Sequence, residues 1–179
     1  MSARELGIAV WAVAGVGLLF LEGILRLGAR AVSFVQGGLD GLEWLGLVLV
    51  VALFTYGEGH RALQRHFAPA VVARALSAGA RLSGCMSVLA APLHAMSLVG
   101  AERRVLARAW AGVALIVLAA LCVRMLPMRW RGIVDAGVAS ALAWGLVAIV
   151  ARFFGAIRNG ETRPARCSPP ALASRPPRA

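Results

Sequence analysis

Three long apolar runs constrain this chain more than anything else in it. Gly7 to Leu25, Val105 to Val123 and Ile133 to Ala151 each carry a single charge, Glu22, Arg108 and Asp135, and are otherwise apolar on all sides instead of along one face. A water-soluble helix shows a stripe, whereas a helix apolar all round needs lipid or a large core about it. At 1.5 Å per residue, about 20 residues cross a hydrocarbon layer about 30 Å thick, and each run has that reach. A chain of 179 residues has no large core to offer. Its residues are 60% hydrophobic and 15% charged, against roughly 45–50% and 25% in soluble domains. The expected fold is all-α, a polytopic transmembrane helical bundle.

Two further stretches belong to the membrane domain. Leu42 to Tyr56 reaches spanning length if its helix starts near Leu39 and continues through Gly59, which sets Trp44 and Tyr56 near the two interfaces. Leu82 to Ala101 carries no charge but holds Pro92, His94 and three serines, so it is embedded either as a span or as a re-entrant helix. The embedded segments are expected over about 6–27, 39–59, 82–101, 104–126 and 132–156. The short turn from Arg124 to Gly132 predicts an antiparallel hairpin of the last two spans. Glu58 to Arg81 turns basic, and Pro69 suits a first helical turn, so an amphipathic helix on the membrane surface is expected over about 69–80. The first run resembles a secretory signal, but its length and the charges Glu22 and Arg26 favour an uncleaved span. Residues 158–179 hold five of the eight prolines and few apolar residues, the composition of a disordered basic tail.

The placement of charge orients these helices. All 19 basic residues are arginine, and with heavy use of Ala, Leu, Gly and Val they point to a GC-rich bacterial genome and hence an inner membrane. The net charge of +11 comes from short loops and helix ends, where topology explains it without nucleic acid. With four spans and the N-terminus inside, Arg4, the seven arginines from Arg61 to Arg108 and the six from Arg152 onward are cytoplasmic, fourteen against five. With five spans the best split is eleven against eight. Short cytoplasmic loops should hold the excess. The expectation is therefore four spans plus a fifth embedded helix, with both termini cytoplasmic.

Ionisable groups at membrane depth cost about 2.5–3.5 kcal/mol each on insertion scales, so five residues are candidates for chemistry: Glu22, Glu58, His94, Arg124 and Asp135. With four spans, Glu22, Arg26, Arg124 and Asp135 fall near the outer helix ends and can pair there. Since none sits at the middle of a strongly apolar span, structural ion pairs and snorkelling outweigh a proton or ion path. His94 is the polar group nearest the middle of its segment; a relay or a haem ligand is one reading and a satisfied buried histidine the favoured one. His60 and His66 lie in the basic segment and give it no second imidazole at depth. Cys85, Cys122 and Cys167 are odd in number and far apart, so neither a disulfide framework nor a metal site follows. The sequence has no H-E-x-x-H, C-x-x-C, G-x-S-x-G or phosphate-binding glycine loop, and no cofactor is implied.

Gly137, Ala141 and Gly145 recur every four residues on the last span and make a smooth face for another helix, of this chain, of a second copy or of another membrane protein. Arg61, Arg65, Arg74 and Arg81 are placed to meet anionic lipid headgroups, at about 1 kcal/mol each. Two stretches, Thr55-Tyr56-Gly57-Glu58-Gly59-His60-Arg61-Ala62-Leu63-Gln64 and Leu126-Pro127 through Trp130-Arg131-Gly132-Ile133-Val134-Asp135-Ala136-Gly137, resemble an uncharacterised group of small bacterial membrane proteins. The resemblance covers about a quarter of the chain, implies an all-helical membrane fold and transfers no catalytic residue. The function these features favour is a non-catalytic accessory or scaffold protein in a membrane complex, with a small channel or transporter as the alternative.

Overall fold

The computed structural model describes residues 2–82 and 84–159, and among them every regular element is a helix. The elements are α1 (Ala3–Gln36), α2 (Gly41–Phe54), a π-helical segment (Thr55–Phe67), α3 (Ala68–Arg81), α4 (Cys85–Leu89), α5 (Ala91–Ala95), α6 (Arg103–Arg124) and α7 (Met128–Arg158). Four helices are long and apolar enough to cross a bilayer: α1, the continuous helix Gly41–Ala78, α6 and α7. From residue 160 on, the tail expected over 158–179 lies outside the described residues.

Local chemistry explains the helix starts. Ser2 caps α1 in a capping box, its Oγ accepting from the Glu5 amide at 3.3 Å while its own amide donates to the Glu5 carboxylate at 2.8 Å. Asp40 precedes α2, and its amide donates to Glu43 at 3.1 Å. Between these helices the chain reverses at Gly38, whose φ of +81° a residue with a side chain rarely adopts.

Contacts between distant residues fix the directions. Phe34 lies against Gly132, Leu142 against Gly23 and Leu146 against Gly17, so α1 and α7 are antiparallel. Ile133 packs on Gly46, Val50 on Gly137 and Trp144 on Gly59, so the helix 41–81 runs parallel to α7. These three helices form the bundle. Its terminal end holds Ser2 and Asn159; its turn end holds the 37–40 and 125–127 turns.

The core fills the half of the bundle toward the terminal end. Ile8, Ala12, Val16 and Phe20 of α1 meet Val71, Val72 and Ala75 of α3 and Ile149 and Phe153 of α7. The apolar face of the amphipathic segment 68–81 is thus spent on α1 and not left for a membrane surface. That segment is also no separate helix. Pro69 removes an amide and crowds the carbonyl four residues back, and the helix crosses this point by widening, with the Ala68 amide donating to the Leu63 carbonyl five residues back. Widening of this kind absorbs an irregularity without ending the helix.

The stretch 82–101 does not form one span. α4 and α5 have five residues each, about 7.5 Å of rise. Pro92 pushes against Gly15 of α1, where a Cβ would collide with its ring. Gly15 is twelve residues from the start of α1, so Pro92 enters the bundle to a depth of about 18 Å. α5 then ends in a Schellman motif: the Ser97 amide donates to the His94 carbonyl at 3.0 Å and the Leu98 amide to the Leu93 carbonyl at 2.9 Å. The left-handed position, usually glycine, is Ser97 at φ 62°. Because α3 ends and α7 begins at opposite ends of the bundle, the 22 residues of α6 make the remaining crossing.

The hairpin of α6 and α7 differs from the expectation. The connecting turn is as short as predicted, but the two helices make little contact, and α6 has no buried residue.

Candidate functional site

The sequence candidates are not gathered into one site. Glu22 pairs with Arg26 one turn along α1 at 3.3 Å, both side chains exposed. Asp135 is buried on α7 and faces Arg30 of α1 at 4.0 Å. Arg124 is exposed at the end of α6 and has no ion pair among the described residues. At the turn end the pairing falls instead to Arg129, which the sequence reading did not single out: its guanidinium donates to Glu43 at 2.6 Å and lies 3.6 Å from Asp40, tying the start of α7 to the start of α2. His94 is half-buried on α5 with its ring over the α-carbon of Gly100.

The small-residue face of α7 is filled by the chain itself. A Cβ on Gly137 would come within 2.8 Å of Val50, and one on Gly145 within 2.6 Å of Leu63 and 3.0 Å of Phe20. Ala141, between them, is 3% exposed. Of the arginines assigned to headgroups, Arg61 and Arg65 are exposed, whereas Arg74 donates to the Ala95 carbonyl at 3.3 Å and holds α5 in place. Arg81 ends α3, and its side chain lies outside the described part of the structure.

What the fold assembles is a polar seam between the π segment and α7. Thr55 Oγ donates to Ser140 Oγ at 2.9 Å, and Ser140 Oγ in turn donates to the Gly137 carbonyl at 2.7 Å. Further along, Trp144 Nε1 donates to Gln64 Oε1 at 2.8 Å, and His60 Nδ1 lies 2.8 Å from the same oxygen. Gly59 makes room for the indole, whose nearest ring atom lies 3.3 Å from where a Cβ would be. Tyr56 stacks on the outer side of His60 at 5.9 Å, and Trp144 meets it edge-on at 6.4 Å.

This geometry fixes a tautomer. An indole nitrogen only donates, so the Gln64 atom it meets is the amide oxygen. His60 Nδ1, on that same oxygen, must also donate. The neutral ring therefore carries its proton on Nδ1 and leaves the Nε2 lone pair as an acceptor.

The seam also sets depth, and here the structure corrects the sequence reading. Leu142 is the middle of the apolar run Ile133–Ala151. Bonds to Ser140 and Trp144 place Thr55 and Gln64, with Glu58, His60 and Arg61 between them, beside that middle. Tyr56 and Glu58 therefore lie inside a continuous helix and not at its end. Leu142 also touches Gly23, so Glu22 shares the central level and is not near a helix end. Glu58, Arg61, Arg65 and His66 are exposed there, with no ion pair among the described residues. A tryptophan in the middle of an apolar run was the available sign of this seam, because such rings prefer the interface unless a buried partner takes the N–H.

The chain is a polytopic helical membrane protein by these features. No protein-family model matches it, and neither curated proteins nor solved structures give a significant match.

Proposed function

We propose that this protein is a non-catalytic component of a membrane complex, seated in a bacterial inner membrane with both termini cytoplasmic. One observation carries the reading: Glu58, Arg61 and Arg65 are exposed beside the centre of α7's apolar run. Hydrocarbon is a poor neighbour for three charges, at about 2.5–3.5 kcal/mol each. A second polypeptide that offers polar groups relieves that cost. The cytoplasmic orientation draws on the arginine distribution, which still favours the terminal end, twelve against five, when Arg61 and Arg65 are left out as residues at mid-depth.

A channel or transporter draws support from the seam, where a histidine of fixed tautomer lies at the same depth. Glu22, Glu58, Arg124 and Asp135 do not converge on a common path, which makes this the second reading.

Photo-crosslinking from position 62, on the exposed face of the π segment, tests the first reading in native membranes. The expected result is a crosslink to protein. Crosslinks to lipid alone, together with a lone monomer in lipid nanodiscs, would remove it.

A further inference from the structure

We infer that the outer face of the π segment is where two copies of this chain pair, with Glu58 of each opposite Arg61 and Arg65 of the other across a two-fold axis along the helix. The inference rests on the proposed function and names its partner.

The inner arc of the segment is occupied: Thr55, Gly59 and Gln64 face α7. The outer arc holds Glu58, Arg61, Ala62, Arg65 and His66, all exposed. A side chain at Gly57 would meet nothing within 4 Å, so the surface is open along its length. Charge and depth together make acyl chains a costly cover.

The winding decides the kind of partner. In an α-helix, residues three or four apart share a face, and a carboxylate pairs with an arginine one turn on, as Glu22 does with Arg26. The π turn holds more residues, which rotates Arg61 and Arg65 away from Glu58. The acid stands on one edge of the outer arc and the two arginines on the opposite edge, so the helix does not satisfy its own charges. Two parallel copies related by a two-fold axis set the left edge of each against the right edge of the other. Every carboxylate then meets arginines, twice per pair. Gly57 and Ala62, between the edges, add little bulk and let the backbones approach. A face of one sign would repel its copy; this one is self-complementary.

The test uses full-length protein in membranes, with Cys85, Cys122 and Cys167 replaced by serine, cysteine at position 62, and two differently tagged copies. Oxidation is expected to give a disulfide-linked dimer of the otherwise wild-type chain. Glu58→Arg sets arginine against arginine, and the double change Arg61→Glu with Arg65→Glu sets acid against acid. Either alone should lower the crosslinked fraction by at least about tenfold, since like charges in an interface cost several kcal/mol. Co-expressing the two should restore a mixed-tag dimer, because both contacts are again between opposite charges, and this recovery shows that each variant folds. Equal self-crosslinking by Glu58→Arg and wild type, or no mixed dimer, overturns the inference. If position 62 crosslinks only to a different polypeptide, the self-pairing is wrong and the proposed function survives. If the wild type crosslinks to nothing and stays monomeric, both fall.

Discussion

α6 and α7 are alike in hydropathy and opposite in circumstance. Both are long apolar helices joined by a turn of three residues, yet eleven residues of α7 are buried and none of α6. Hydrophobicity does not explain the difference, because in a bilayer a leucine gains nothing by leaving lipid for protein. Shape does. α7 presents Gly132, Gly137, Ala141 and Gly145 to side chains of α1, α2 and the π segment, and Ser140 and Trp144 add hydrogen bonds. α6 has a lone Gly112 with nothing within 4 Å, and Leu115, Ile116 and Leu118 project from it in several directions. Entry into a membrane and packing within it are thus separate properties, the first set by composition and the second by small residues and polar rungs.

The largest expected effect comes from making one substitution on both helices. Gly145→Ile forces a β-carbon toward Leu63 and Phe20, and overpacking of that kind costs about 1–3 kcal/mol. Gly112→Ile meets only open space and should stay within about 0.5 kcal/mol of wild type. Thermal or denaturant unfolding in detergent reads both, and equal losses would break the comparison.

A smaller effect separates polar rungs from shape. Gln64→Leu removes the shared acceptor of Trp144 and His60 and should cost about 0.6–1.7 kcal/mol, between the average and the maximum for hydrogen bonds between membrane helices. Nitrogen-15 NMR of His60 should show the proton on Nδ1 in the wild type and a mixture of tautomers in the variant. A wild-type proton on Nε2 would contradict the seam as described.

The smallest lies at the foot of α6, in the turn that delivers the chain to it. Ser97 is 2% exposed, holds a left-handed φ and has a hydroxyl without a partner among the described residues. Ser97→Gly removes the strain and the orphan group together, and a gain of about 0.5–1 kcal/mol is expected. A loss of stability would mean that the hydroxyl has a partner after all.

The sequence by itself determined which stretches are helical and apolar enough to cross, and where α2 and α6 begin, but not where α1 and the second helix end. Those properties are local: a run of side chains, a Ser2 or Asp40 cap, a short turn. It also carried the broken character of 82–101, since Pro92 and the polar residues there weaken any single span. Tertiary structure decided the register. Nothing in the one-dimensional pattern says that Thr55 meets Ser140 or that Gln64 meets Trp144, and those contacts carry Glu58 and Arg61 from a presumed helix end to the centre. Depth is a relation between helices, fixed by which knob fits which glycine, and no helix alone contains it. The continuity through Pro69 was hidden for a related reason: proline reads as a start, and only α1, waiting opposite Val71 and Ala75, made it worth the helix's while to widen and run on.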